Sequence, residues 1–156
     1  MSDLPPMTMS HIGIVVKDLA RQEAFYTGEP GEHHRFVPQE GRPSDETTIN
    51  QISFRLDNLD ALRRIHRILL AAEVKEMRLV DHALSWSIYC HAPEGNLLEF
   101  SVDAPYCVHH SIIEPLDLTR SDEEIRQSTE KRFGGDPTFN SFENWKRGFA
   151  RRLGEC

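Results

Sequence analysis

The sequence predicts an α+β domain: paired β-α-β-β-β modules forming one curved mixed sheet, the first module shortened, with a helical extension at the C-terminal end. Two observations predict it. First, His11-Ile-Gly-Ile-Val-Val-Lys-Asp-Leu overlays Gln51-Ile-Ser-Phe-Arg-Leu-Asp-Asn-Leu, matching Ile12 with Ile52, Ile14 with Phe54, Val16 with Leu56 and Leu19 with Leu59. Both copies alternate with period two, as a strand with one buried face does, and both run into Asp or Asn followed by Leu, which suits a helix start. Second, the later copy leads into a helical pattern and then three further strand patterns, which completes a module.

Taken in order, residues 1–8 read as a tail and residues 9–105 as the paired-module domain, divided into about 9–49 and 50–105. In module one the strand from His11 runs toward a helix after Asp18. The stretch Thr27 to Ile49 then holds one clear strand candidate, His33 to Val37, amid Gly and Pro. Three strands barely fit there, so this module is expected to have lost one or two. In module two the helix from Leu59 to about Ala72 places Leu59, Leu62, Ile65 and Leu69 at helical spacing for burial on a sheet. Strands are expected near Lys75 to Val80, Ser85 to His91 and Asn96 to Asp103, with Pro93-Glu94-Gly95-Asn96 as the turn between the last two. Residues 106–156 form the extension. Within it Ser121 and Glu124 make a capping-box start for a helix to about Phe133. Gly134-Gly135-Asp136-Pro137 stops that helix, and Ser141 can cap a last one with Phe142, Trp145, Phe149 and Leu153 on one face. The extension is expected either to pack on the domain or to reach over a partner subunit.

Bulk composition narrows the function classes. The chain has 156 residues, 38% hydrophobic and 28% charged, which is the profile of one globular domain. No apolar run approaches the roughly 18 residues of a membrane span, and the first residues lack the basic and apolar parts of a secretory signal. A cytoplasmic location is expected. Three cysteines at unmatched spacings argue against a disulfide framework or a zinc cluster. A formal net charge of −7 argues against binding to a nucleic-acid backbone.

Alternation also sorts side chains onto faces. Ile12/Ile14/Val16, Ile52/Phe54/Leu56 and Leu98/Phe100/Val102 suit helix cover. The opposite faces carry His11 then Gly13, Gln51 then Ser53, and Glu99 then Ser101: each time a potential ligand followed by a small residue that leaves space. An imidazole, an amide oxygen and a carboxylate projecting into one hollow could hold a divalent ion with open positions. The alternative reading is an ordinary solvated polar face. Ser85, Ser87 and Tyr89 share a strand face, His82 lies just before that strand, and Tyr89 and Glu99 could face one hollow from neighbouring strands. Phenol and imidazole could then hydrogen-bond a substrate oxygen. His34 is a further acid-base candidate, or a surface residue of a polar loop. His66, His91, His109 and His110 are read as non-functional.

Together, His11-Ile-Gly-Ile-Val-Val with Asp18-Leu19, Asn50-Gln51-Ile-Ser-Phe, and above all Asp81-His82-x-x-Ser85-x-Ser87-x-Tyr89-x-x-x-Pro93-x-Gly95-Asn96-x-x-Glu99 resemble the vicinal oxygen chelate superfamily. Within it the likeness is to extradiol ring-cleaving dioxygenases of the catechol and biphenyl-2,3-diol kind. It covers about residues 9 to 105. The resemblance implies His11, Gln51 and Glu99 as metal ligands, where ring-cleaving members carry two His and one Glu around Fe(II). Gln51 departs from that set and is a poorer ligand than imidazole for Fe(II). Glyoxalase-type members use mixed Gln, His and Glu sets with Ni, Zn, Mn or Co, and His34 or His33 could there supply a fourth ligand. The resemblance further implies His34 as an active-site acid or base, Tyr89 as a contact to the substrate hydroxyl, and His82 as a histidine just behind it. An aromatic diol and O2 are the implied partners, and a homodimer the implied assembly.

Overall fold

The structure, a computed structural model, describes residues 4–14, 49–92, 95–110, 112–145 and 147. The expected helix after Asp18, the strand from His33 to Val37 and the His33-His34 pair lie outside the described residues. The elements in chain order are β1 (Thr8–Ile14), β2 (Ile49–Arg55), α1 (Leu59–Ala71), β3 (Arg78–Asp81), β4 (Ser85–His91), β5 (Leu97–Asp103), β6 (Tyr106–Cys107), β7 (Glu114–Pro115), α2 (Asp122–Phe133) and β8 (Asn140–Ser141).

Six of the strands make one mixed sheet in the order β1-β2-β5-β4-β3-β7, and β6 pairs with β8 separately. Strands β2 and β5 run parallel, while the other neighbours run antiparallel. Helix α1 makes the crossover that the parallel pair requires. The second module is therefore the expected β-α-β-β-β unit, and β1 adds to its outer edge.

The repeat has a spatial meaning. Ile12 lies directly opposite Ile52, so the two copies cross at these matched residues, with His11 opposite Ser53 and Gly13 opposite Gln51. An irregularity between Met9 and His11 is what allows this register. Met9 pairs with Phe54 and His11 with Ser53, which leaves Ser10 as an extra residue. Without that bulge Ser10 would face Ser53, and the His11 ring would turn to the opposite side.

One face of the sheet is apolar and meets α1. Leu59, Leu62 and Ile65 of the helix are buried against Trp86, Ile88, Cys90, Phe100 and Val102, while the Phe54 and Phe100 rings stack at 5.6 Å. Each fully buried aliphatic or aromatic side chain contributes roughly 1.5–3 kcal/mol by leaving water, so this layer drives folding. Asn58 caps α1 by accepting from Ala61 N–H at 2.9 Å.

Strand β3 starts at Arg78, later than the expected Lys75. Glu73 and Glu76 take positive φ angles of 54° and 59°, a left-handed backbone that cannot extend a ladder. In the β4–β5 hairpin Gly95 has φ of 90°, which is why glycine stands there.

Beyond β5, Tyr106, Leu116, Leu118 and Ile125 enter the same core as α1. Arg63 of α1 donates to the carbonyls of Leu118 and Arg120 and to Asp122, tying the helix to this segment. The capping box forms: Ser121 and Glu124 satisfy each other's backbone N–H groups at the start of α2. Gly134 ends the helix where a Cβ would sit 2.6 Å from the Glu130 carbonyl oxygen. Ser141 accepts from Asn144 N–H at 3.2 Å, and residues 142–145 and 147 are helical, as the expected cap implies. Among the described residues no helix is long and apolar enough to cross a membrane.

Candidate metal centre

The second face of the sheet is polar, and register places its residues in rows. One row runs across five strands as His11, Ser53, Glu99, Tyr89 and Arg78. The next carries Gly13 and Gln51, and the row on the other side carries Ser101 and Ser87. Glu99 is only 4% exposed and Ser53 and Ser87 are fully buried. A carboxylate this deep must be hydrogen-bonded on both oxygens to be tolerated.

It is. Oε1 accepts from Ser87 Oγ at 2.9 Å and from Tyr89 OH at 2.6 Å. Oε2 accepts from Ser53 Oγ at 2.6 Å and from Gln51 Nε2 at 3.0 Å. Ser53, one of the small residues beside the candidate ligands, therefore does more than leave room: its hydroxyl, with that of Ser87, fixes the carboxylate. Spacing alone gives no sign of that function.

Around Oε2 three polar atoms converge. His11 Nε2 lies 2.9 Å from Gln51 Nε2, 2.9 Å from Ser53 Oγ and 3.5 Å from Glu99 Oε2. Gln51 Nε2 also donates to Ser53 Oγ at 3.1 Å. Ser53 forms the buried floor, and His11, with half of its side chain exposed, marks the open side. Among the described residues no group of three or more His, Cys, Asp and Glu side chains gathers in a metal-binding arrangement. The third donor here is an amide.

These residues fit a divalent ion. Bonds of about 2.1 Å in octahedral geometry set neighbouring donors about 3.0 Å apart, and His11, Gln51 and Glu99 already stand at 2.9, 3.0 and 3.5 Å. Turning the Gln51 amide about its last side-chain bond exchanges Nε2 for Oε1. The amide then offers a lone pair to a cation in place of hydrogens to Glu99 and His11. One imidazole, one amide oxygen and one carboxylate suit Mn, Fe, Ni, Co or Zn and leave positions open for a ligand.

Behind Glu99 the chain of contacts continues. His82 Nε2 meets Tyr89 OH at 3.0 Å, and the two rings stand edge to face. His82 Nδ1 faces the Ile112 carbonyl, which fixes the hydrogen on that nitrogen and directs Nε2 at the phenol. The phenol is held protonated: burial first, then the Glu99 charge and hydrogen bond, push Tyr89 far above the usual phenolic range. Tyr89 is thus a hydrogen-bond donor at any ordinary pH.

The loop carrying His82 is itself braced. Asp81, 2% exposed, accepts from Ala83 N–H at 2.8 Å and from Thr129 Oγ1 of α2 at 2.6 Å, and Trp86 Nε1 donates to the same Thr129 oxygen at 3.1 Å. Ala83, at φ of 63°, needs such bracing. The structure thus brings five of the six sequence-predicted residues, His11, Gln51, Glu99, Tyr89 and His82, into one connected cluster. The sixth, His34, lies outside the described residues.

Fold and site together define a class, a mixed sheet with one polar face whose side chains could take an ion. Comparison with a solved structure agrees on the fold. The chain is similar to catechol 2,3-dioxygenase, with a TM-score of 0.52 and 18% identity over 74% of this chain and 53% of that one. It is also similar to the Mn(II)-bound glyoxalase from Novosphingobium aromaticivorans, with a TM-score of 0.47 and 25% identity over 61% of this chain and 38% of that one. The chain spans about half or less of the length of these proteins. No family model matches the chain, and no curated protein matches it in sequence. The likeness to catechol 2,3-dioxygenase supports the mixed α+β fold that the sequence resemblance implies.

Proposed function

We propose that this protein binds a divalent metal through His11, Gln51 and Glu99 and acts as an extradiol dioxygenase-like enzyme on a catechol-type diol, with Fe(II) as the metal and O2 as co-substrate. The observation that carries the reading is the convergence of His11 Nε2, the Gln51 amide and Glu99 Oε2 at 2.9 to 3.5 Å from one another on three adjacent strands. A bound ion would supply Lewis acidity, gathering two adjacent substrate oxygens and easing loss of a proton from one of them.

The chain's own residues do the rest. Ser53, Ser87 and Tyr89 hold Glu99 in place and keep its charge from being buried without partners. Tyr89, whose one hydrogen goes to Glu99 Oε1 in this structure, can turn it to steady a negatively charged substrate oxygen. Proton removal falls to a histidine: His82, through the phenol, or His34. The buried floor at Ser53 and the exposed His11 set the direction of approach, with substrate arriving over the β1 side.

To test this, Fe(II) is added to the apoprotein and catechol or 2,3-dihydroxybiphenyl is followed in air for the yellow ring-fission product. Absence of product with iron demonstrably bound would sink the ring-cleaving reading. Gln51 favours a second reading, a glyoxalase-like isomerase or lyase with Mn, Ni, Zn or Co that needs no oxygen, since a neutral amide supports Lewis-acid chemistry better than oxygen activation. That reading predicts turnover under argon.

A further inference from the structure

The metal-site reading, on which this inference rests, leaves one cation of the polar face unused among the described residues. Arg78 ends the row that begins at His11, directly opposite Tyr89 and two strands from Glu99, a separation of about 10 Å at about 4.8 Å per strand. It is exposed, and its guanidinium lies 5.6 Å from the centre of the Tyr89 ring, which places it on the same face as the candidate ligands. Among the described residues it meets no carboxylate. The other arginine on this face among the described residues, Arg55, is held by Asp103 at 3.4 Å. Stacking on the ring limits the freedom of the Arg78 side chain while its hydrogens stay available to a ligand.

Charge counting says what the ligand would be. His11 and Gln51 are neutral donors and Glu99 brings one negative charge, so a divalent ion held there keeps one positive charge. A diol that has lost one proton cancels it. Arg78 then remains as a further positive charge within reach of the far end of a small aromatic molecule.

We infer that Arg78 docks a carboxylate on the substrate, so that the preferred ligand class is a carboxylate-bearing vicinal diol and not a neutral one. A planar guanidinium fork matches a carboxylate with two parallel hydrogen bonds, which an amide or hydroxyl of the same size cannot accept equally well.

The test is calorimetric binding to the Mn(II)-loaded protein of two ligands of one shape, 3,4-dihydroxybenzoate and 3,4-dihydroxybenzamide. The wild-type protein is expected to prefer the benzoate about tenfold, as a partly exposed charge-assisted pair provides. R78M brings the two affinities together, and R78K restores part of the preference. Equal affinities in the wild-type protein, or a preference that survives R78M, would overturn the role of Arg78 while leaving the metal site standing. Binding of both ligands that ignores Mn(II) would overturn the metal-site reading, and this inference with it.

Discussion

The two faces of the sheet are made of the same strands yet obey different physics. On the α1 side Leu62, Ile88 and Phe100 interlock, and any well-shaped apolar group would serve, because burial is non-directional. On the other side Ser53, Ser87, Tyr89, Gln51 and His11 surround one buried carboxylate, and each polar atom there depends on its neighbours' hydrogens. The first face makes the protein fold. The second spends part of that stability on holding Glu99 ready. A substitution on one face should therefore change stability alone, and on the other should change ion binding as well.

The largest expected effect is at Glu99. Glu99→Ala strands the buried Ser53 and Ser87 hydroxyls and removes the anionic donor, so unfolding free energy should fall by about 3 kcal/mol and metal affinity by more than about a hundredfold. Denaturant unfolding and metal dialysis measure both. If metal affinity holds while stability falls, Glu99 is a structural carboxylate only. Next comes Leu62→Ala, which should cost about 3 kcal/mol through a buried cavity yet leave metal affinity as it was. His11→Ala inverts that pattern: a half-exposed side chain costs within about 0.5 kcal/mol of stability, while metal affinity drops at least about tenfold.

The smallest effect concerns pH. Burial, partly offset by the Thr129 hydrogen bond, lifts the Asp81 carboxyl above its ordinary range. The folded chain then keeps that proton at pH values where the unfolded chain has lost it. Its contribution to stability is greatest below about pH 3.9 and declines as pH rises through the raised value. Asp81→Asn removes the decline, so unfolding free energy plotted against pH should be flatter for the variant above about pH 4. Parallel curves would mean that Asp81 is not desolvated in the folded protein.

Much of this was legible in the sequence because side-chain alternation carries it. The Ile12 and Ile52 repeat, the Leu59–Leu69 spacing and the Ser121–Glu124 pair each report a local rule, and α1, β4 and α2 lie where those rules put them. What alternation cannot show is register. The Ser10 bulge that turns His11 inward leaves no signature in composition, and neither does the left-handed Glu76, which lies ahead of the β3 start. Nor does spacing disclose that Thr129, nearly fifty residues downstream of Asp81, braces the loop that aims His82. Family resemblance combined with the alternation of faces points to six site residues, whereas the serine floor and Arg78 emerge only when the strands are laid side by side.

The central claim is that His11, Gln51 and Glu99 form one ion-binding set with the Gln51 amide turned. An anomalous-scattering map from crystals soaked in Mn(II) tests it most directly. The account predicts a single peak in the polar hollow with His11 Nε2, Gln51 Oε1 and Glu99 Oε2 each within about 2.0 to 2.3 Å. A hollow without a peak, in which the Gln51 amide still donates to Glu99, would contradict it.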